Sequence, residues 1–292
     1  MHPILFHDPH LNFSIRSYGV MLFIAFIAGI SHAVNSAKRR PNEKISVEDT
    51  LDVSIWMILS GILFARLVFV ALDPDPSQYN LANILAVWNG GISFDGSLFG
   101  ALLAMAIFCR VKKIAFLNMA DRFAAPAMIG YAIGRVGCLL NGCCYGRPTD
   151  LPWGIRFQEQ IGSTTYWTPP SHPTQLYATL ISLVWYGLLT WRERSGRAFI
   201  GELTCIYMML SAIERFTIEI WRAGATSDYV RNTGLTTAQF FCFFLFALGA
   251  AGMMYLRARA KREPAAMAVS DPGSDQVAAL NAAESQTADV HS

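Results

Sequence analysis

The chain contains few charged residues. Asp, Glu, Lys and Arg make up 15% of its 292 residues, whereas 53% are hydrophobic. Soluble domains carry about 25% charged residues, so this composition indicates a membrane protein. The net charge is only +2, and no Lys/Arg run is interleaved with aromatic residues, so we expect no nucleic-acid partner. The sequence also lacks a Cys-x-x-Cys pair and an internal repeat.

The start of the chain lacks the basic residues that precede the apolar run of a cleaved signal peptide. Arg16 is the only Lys or Arg in residues 1–17, and the next basic residues follow the first apolar run. Ser31 and Ala33 could form part of a cleavage site, which remains an alternative. We expect instead that the first helix stays uncleaved.

Seven apolar segments approach the length of about 20 residues that crossing a bilayer requires. They cover residues 18–36, 50–72, 94–109, 120–140, 174–191, 199–221 and 236–256. The predicted fold class is therefore all-α, a polytopic membrane protein with about seven transmembrane helices. One domain is expected over residues 1–262.

Basic residues are distributed unequally between the connections. Fourteen follow the first, third, fifth and seventh segments, whereas the opposite connections hold four. The positive-inside rule then predicts a periplasmic N-terminus and a cytoplasmic C-terminus. The Gly- and Pro-rich residues 141–173 form a periplasmic loop region, and long loops of this kind are often functional. Residues 263–292 are rich in Ala, Ser, Asp and Glu, which predicts a disordered cytoplasmic tail.

Three arginines, Arg66, Arg135 and Arg215, lie inside apolar segments, where a charge costs about 2.5–3.5 kcal/mol. Each therefore needs a partner. Glu219 lies one helical turn after Arg215, so one interpretation is a structural ion pair. In the other, Arg135 and Arg215 converge on an anion, and a lipid phosphate suits guanidinium groups.

An aspartate, Asp95, follows Gly90 and Gly91 at the start of the third segment. It could cap the helix, which is the commoner role for this residue type, or act as a carboxylate base. The sequence around it leaves both roles open.

Six motifs follow one another along the chain. They are Gly90-Gly91-x-x-Phe94, Gly134-Arg135-x-Gly137, Asn141-Gly142, Tyr145-Gly146-Arg147, His172-Pro173-x-Gln175-Leu176-Tyr177 and Arg215-Phe216-x-x-Glu219-x-x-Arg222. Together with Arg16-x-Tyr18-Gly19, they resemble bacterial prolipoprotein diacylglyceryl transferases over residues 14–250. The resemblance implies a seven-helix enzyme of the bacterial inner membrane, with a site open to the periplasmic leaflet and neither metal nor cofactor.

The implied activity transfers the diacylglyceryl group of phosphatidylglycerol to the lipobox cysteine thiol of a preprolipoprotein. By this resemblance Arg135 and Arg215 hold the phosphate, and Glu219 completes the catalytic set with Asp95. The family commonly has a histidine base where this chain has Asp95. Further substrate-binding positions are implied at Tyr18, Asn141, Gly142, Gly146, Arg147, His172 and Arg222.

The chain also departs from the family at Cys138, Cys143 and Ser211, where asparagine, glutamate and tyrosine are common. Either Cys143 or the adjacent Cys144 could form a disulfide with Cys138. The three cysteines could instead pack as thiols, undergo redox chemistry or bind a metal. Two other functions therefore remain open. One is a quinone-linked thiol oxidoreductase, and the other is a lipid-binding relative without catalysis.

Overall fold

The computed structural model describes residues 4–8, 13–40, 45–72, 93–161, 164–222 and 234–264. All seven apolar segments form helices. The helices are α1 (Ser17–Arg39), α2 (Val47–Leu72), α3 (Phe94–Lys112), α4 (Phe116–Asn141), α5 (Thr174–Arg194), α6 (Glu202–Glu219) and α7 (Thr237–Arg262). Gly90, Gly91 and the tail from residue 265 onward lie outside the described residues.

Two short antiparallel hairpins accompany the helices and were not expected from the sequence. Strands β1 (Ile4–Asp8) and β2 (Phe13–Arg16) precede α1, and β3 (Gln158–Ile161) and β4 (Thr164–Trp167) lie within the 141–173 connection. Thr165, Tyr166 and Trp167 are β-branched or aromatic residues, which suit a strand. The class is nevertheless all-α, as predicted.

Five helices, α1, α2, α3, α4 and α7, are long and apolar enough to cross a membrane. This confirms a polytopic membrane protein. The helix α6 is more polar because it carries Glu202, Glu214, Arg215 and Glu219. Large apolar side chains such as Phe241 and Phe244 on α7 are 63% exposed, as is expected of a surface that contacts lipid.

Contacts divide the chain into two compact units. We call residues 1–32 with 121–269 the large unit, and residues 33–120 with 270–292 the small unit. Among the described residues, the large unit holds both hairpins, most of α1 and α4, and all of α5, α6 and α7. The small unit holds α2 and α3.

The small unit is built on close packing of α2 against α3. A Cβ atom added at Gly96 or Gly100 would lie 2.5 Å from the carbonyl oxygen of Phe64 or Ser60, respectively. These glycines are spaced as in the Gly-x-x-x-Gly pattern that lets membrane helices approach closely. The Ser60 hydroxyl donates to the Gly100 carbonyl at 2.8 Å, which adds an interhelical hydrogen bond.

The large unit buries a polar network around one ion pair at the start of α4. The Asp121 carboxylate accepts from Arg197 at 3.0 Å, from the Gly201 amide at 2.7 Å and from the Thr204 hydroxyl at 2.6 Å. Buried charges require such pairing because their desolvation is otherwise uncompensated. The network therefore fixes α4 to the connection between α5 and α6.

A second buried contact links α1 to α5. The His32 ring nitrogens lie 2.9 Å from the Tyr186 hydroxyl and 2.9 Å from Glu193. Between the helices, Ala125, Met128 and Leu203 belong to the apolar core. This packing fixes the positions of α1 and α5 relative to each other. The candidate site lies at the opposite ends of these helices.

Candidate functional site

The candidate site lies where α4 and α6 end and where α1 and α5 begin, and we call this the arginine end of the large unit. The helix α4 terminates at Gly142, whose φ of +76° is in the left-handed region. The Cys143 amide donates to the Cys138 carbonyl at 3.1 Å, and the Gly142 amide to Leu139 at 3.2 Å. This Schellman ending requires a glycine at Gly142.

The loop after Gly142 is fixed to the first residues of α5. The Gln175 amide donates to the Cys143 carbonyl at 2.6 Å, and the Thr174 hydroxyl donates to the Cys144 carbonyl at 2.7 Å. The Gly146 amide donates to the His172 carbonyl at 2.8 Å. These bonds give the loop a defined conformation beside the helix ends.

Gly146 lies in a position that has no room for a side chain. A Cβ atom there would collide with the Trp221 carbonyl and would lie 2.8 Å from both His172 Cβ and Thr174 Cγ2. The backbone of Gly146 pairs with Arg222 through an antiparallel bridge. Gly146 therefore brings the loop against the end of α6, and its predicted role in substrate binding would be indirect.

Arg147 is occupied by the end of α6. Its guanidinium donates to the Ile220 carbonyl, and its amide donates to the Trp221 carbonyl at 2.8 Å. Carbonyl groups at a helix end lack partners within the helix, so Arg147 satisfies them. The side chain is exposed, and the contacts that it makes stabilise the end of α6.

His172 belongs to an aromatic cluster beside the loop. Its Nδ1 lies 3.3 Å from the Tyr177 hydroxyl, and the rings of Tyr177 and Trp221 meet edge to face at 5.6 Å. The Trp153 indole donates to the same Tyr177 hydroxyl at 2.8 Å. His172 therefore links the loop to Tyr177 of α5, which is the role expected of an anchoring residue.

Tyr145 joins the loop to the β3–β4 hairpin. Its ring stacks on Phe157 with centroids 4.6 Å apart, and its hydroxyl donates to Glu159. Burial, together with the Glu159 carboxylate, raises the pKa of Tyr145 to about 12. The phenol is therefore neutral near pH 7 and remains a donor.

Arg135 lies on the last turns of α4 and is held by a residue of its own helix. Its guanidinium donates to the Tyr131 hydroxyl at 2.6 Å and lies 4.7 Å from the centre of the Tyr131 ring. The spacing of four residues places both side chains on one face. Tyr131 thus orients Arg135 and leaves other guanidinium donors available.

Arg215 pairs with Glu219 on α6. The Arg215 Nη1 and Glu219 Oε2 atoms are 2.8 Å apart, and the side chains are 28% and 2% exposed. The structural ion pair considered from the sequence is therefore present. A guanidinium has five donors, so this pair leaves Arg215 able to bind an anion as well.

The arginines form one group at the arginine end. Arg135 and Arg222 are each close enough to Arg215 for their positive charges to act on its guanidinium. The buried Glu214 carboxylate interacts electrostatically with Arg135 and accepts a hydrogen bond from the Ser182 hydroxyl at 2.6 Å. The group therefore contains three cations and two carboxylates, those of Glu214 and Glu219. It keeps an excess of positive charge.

Two members of this group were missed from the sequence, Tyr131 and Glu214. The spacing of four residues between Tyr131 and Arg135 was the available signal. Glu214 is adjacent to Arg215 in sequence, but it is buried against α5 and close enough to Arg135 for the two charges to interact. Tyr18 also approaches α4, since its Cδ2 would lie 3.1 Å from a Cβ at Gly137.

The cysteines at the arginine end are free thiols. The sulfur atoms of Cys138, Cys143 and Cys144 lie within 4.8 Å of one another, and the Asn141 side chain contacts the Cys143 thiol. The neighbouring thiols, followed by the charges of Arg135 and Arg222, lower the pKa of Cys144. Among the described residues, this is the one group of His, Cys, Asp and Glu that could hold a metal ion.

Asp95 belongs to the small unit and is exposed on the first turn of α3. The interpretation of Asp95 as the helix cap is wrong. Ser93 caps α3 instead, and its hydroxyl accepts from the Gly96 amide at 3.3 Å. Ser93 has an extended backbone that suits a cap, whereas Asp95 is already within the helix. Its carboxylate is therefore not used in capping.

Comparison with known proteins gives consistent matches. A family model described as prolipoprotein diacylglyceryl transferase matches residues 3–255. The phosphatidylglycerol–prolipoprotein diacylglyceryl transferase of Thermosynechococcus vestitus is 33% identical over 258 residues, which are 86% of this chain and 92% of the relative. The protein of that name from Trichormus variabilis is 31% identical over 269 residues, 89% of this chain and 91% of the relative. The similarity thus extends over both units.

Replacing Gly146 tests the position of the loop. We expect Gly146→Ala to lower stability by about 1–3 kcal/mol, because the added methyl group collides with the Trp221 carbonyl and with His172. Thermal unfolding in detergent measures the loss, and limited proteolysis of residues 142–148 reports whether the loop detaches.

The matched control is Gly187→Ala on α5, where an added Cβ meets nothing within 4 Å. Alanine favours a helix over glycine, so the control should unfold at the same or a higher temperature. Identical unfolding and cleavage of the two variants would contradict the position assigned to Gly146.

Proposed function

This chain belongs to the prolipoprotein diacylglyceryl transferase family, and from that membership we propose its reaction. It transfers the diacylglyceryl group of phosphatidylglycerol to the lipobox cysteine thiol of a preprolipoprotein and releases glycerol phosphate. This is the first step of lipoprotein maturation. The observation that supports it best is the group of Arg135, Arg215 and Arg222 at one end of an apolar bundle.

The membrane arrangement of the proposal extends beyond the five apolar helices. We propose that α5 and α6 also cross the bacterial inner membrane, which gives seven spans with a periplasmic N-terminus and a cytoplasmic C-terminus. The distribution of basic residues supports this orientation. The arginine end then faces the periplasm. There it meets both a phospholipid headgroup and a preprolipoprotein segment that has crossed the membrane.

The chemistry requires a leaving phosphate to be stabilised. The thiol sulfur bonds to the sn-3 carbon of the diacylated glycerol, and the bond from that carbon to the phosphate oxygen breaks. The oxygen leaves with the electron pair as part of glycerol phosphate, and the thiol proton goes to a base. Negative charge therefore grows on the leaving oxygen, where preorganised donors lower the barrier.

Arg135 and Arg215 supply these donors in the proposal. Tyr131 holds Arg135 through the 2.6 Å hydrogen bond, and Glu219 holds Arg215 through the 2.8 Å ion pair. Both guanidinium groups are thus oriented before substrate binds. Each has five N–H donors, and its partner uses only some of them, so donors remain for the phosphate. Arg222 adds a third positive charge, which attracts the anionic headgroup.

The remaining predicted substrate residues act mainly by building the loop. Gly142 ends α4, Gly146 brings the loop against α6, and Arg147 and His172 fix its far side. Tyr18 and Asn141 extend toward the same end from α1 and α4. We propose that these residues shape the pocket, while the arginines make the charged contacts.

Replacing either arginine by lysine tests the phosphate contact. Arg135→Lys and Arg215→Lys keep the charge but lose the planar fork that binds a phosphate at two oxygens. We expect turnover to fall by about 100-fold or more, the loss typical of a removed transition-state donor. The assay is the mass of a lipobox peptide after incubation with purified protein and phosphatidylglycerol.

The control for these variants is Arg259→Gln, which breaks an exposed ion pair with Glu263 on α7 and should leave turnover unchanged. Wild-type rates in either lysine variant would contradict the assigned roles. Folded wild-type protein that binds phosphatidylglycerol without modifying the peptide would instead show a lipid-binding relative.

We propose Asp95 as the general base, because it occupies the position at which the family commonly has a histidine base. Asp95→Asn keeps the shape of the side chain but removes its capacity to accept the thiol proton. We expect a large loss of kcat with little change in KM for phosphatidylglycerol. Asp52→Asn, at an exposed position on α2, is the matched control.

Unchanged kcat in the Asp95→Asn protein would show that another group accepts the proton. Loss of kcat in both aspartate variants would show an effect on the small unit rather than on proton transfer.

A further inference from the structure

The three thiols at the arginine end have no part in the proposed transfer. Cys138 lies on the last turn of α4, and Cys143 and Cys144 follow in the loop. Their sulfur atoms lie within 4.8 Å of one another. We propose that Cys138, Cys143 and Cys144 form a binding site for a soft metal ion and that the ion is copper(I).

The backbone already brings the sulfur atoms together. The amide of Cys143 donates to the Cys138 carbonyl at 3.1 Å, which folds the loop back over the last turn of α4. Cys144 has a φ of +62°, a left-handed conformation that is unfavourable for a non-glycine residue. Such strain persists only where the surroundings impose it, and often at functional sites.

Hydrogen bonds from α5 impose this conformation. Thr174 holds the Cys144 carbonyl and Gln175 holds the Cys143 carbonyl, at 2.7 and 2.6 Å. Both α5 side chains are buried, so the loop backbone is fixed at these two carbonyl groups. The thiols are therefore arranged before any ion binds, and little ordering is required on binding.

The donor set selects the ion. Three thiolates are soft ligands, which favour copper(I) and zinc among the common metal ions. Structural zinc sites use four protein ligands, and among the described residues no His, Asp or Glu joins this group. Copper(I) accepts three sulfur ligands in a plane. The site as built is complete for copper(I) and lacks one ligand for zinc.

The surroundings also suit the charge of such a site. Three thiolates around a monovalent ion carry two negative charges in excess. Arg135 and Arg222 lie close enough to Cys144 for their positive charges to offset that excess. A single disulfide would use two of the three sulfur atoms and would not account for the convergence of all three.

The test is a copper(I) titration of the purified, reduced protein under argon, in competition with a coloured copper(I) chelator. We expect one ion per chain, a sulfur-to-copper charge-transfer band in the ultraviolet, and three sulfur ligands by X-ray absorption. Each of Cys138→Ser, Cys143→Ser and Cys144→Ser should weaken binding at least 100-fold. Cys109→Ser, which alters a buried thiol of the small unit, is the matched control and should bind as wild type.

Four results would overturn the proposal. They are absence of copper(I) binding, unchanged binding in the triad variants, tighter binding of zinc(II) than of copper(I) in a parallel titration, and fewer than three reactive thiols at this end after reduction. The titration uses no phosphatidylglycerol and no peptide, so its failure leaves the proposed transfer standing.

Discussion

The arrangement of this protein depends on how guanidinium charges are kept in an apolar helix bundle. Arg135 and Arg215 lie within helices, and each has a partner of its own helix one turn away, Tyr131 and Glu219. Arg222 adds a third cation and Glu214 a second carboxylate. The partners make burial tolerable without neutralising the group. The excess of positive charge is unfavourable for folding, but it favours the binding of an anionic phosphate.

The loop between α4 and α5 is the structural counterpart of that constraint. The loop begins at Gly142, which ends α4; Gly146 brings it against α6, and Thr174 and Gln175 fix it to α5. The ends of α4 and α6 and the start of α5 meet at this loop. The loop therefore determines the distance between Arg135 on α4 and Arg215 on α6. At the other end of the large unit, the buried pair of Asp121 with Arg197 and the partly exposed pair of Glu202 with Arg192 keep the same helices from sliding.

The sequence predicted the helices and the key arginines because both follow from the cost of placing groups in a bilayer. Apolar length indicated each span, and a charge inside an apolar run indicated a site. The partners Tyr131 and Glu214, the two hairpins and the Ser93 cap were not predicted, since they depend on side-chain packing and local backbone angles. The meeting of the three thiols depends on the left-handed Cys144, which no spacing rule gives.

The central claim is that Arg135 and Arg215 hold the phosphate of phosphatidylglycerol. Native mass spectrometry of protein released from micelles that contain equal amounts of phosphatidylglycerol and diacylglycerol tests this directly, because the two lipids differ in the phosphate headgroup. Hydrogen bonds to charged groups contribute about 1.5–3 kcal/mol each, so wild type should retain phosphatidylglycerol at least 10-fold better. The Arg135→Lys, Arg215→Lys double variant should lose that preference. Equal preference in wild type and double variant would contradict the account.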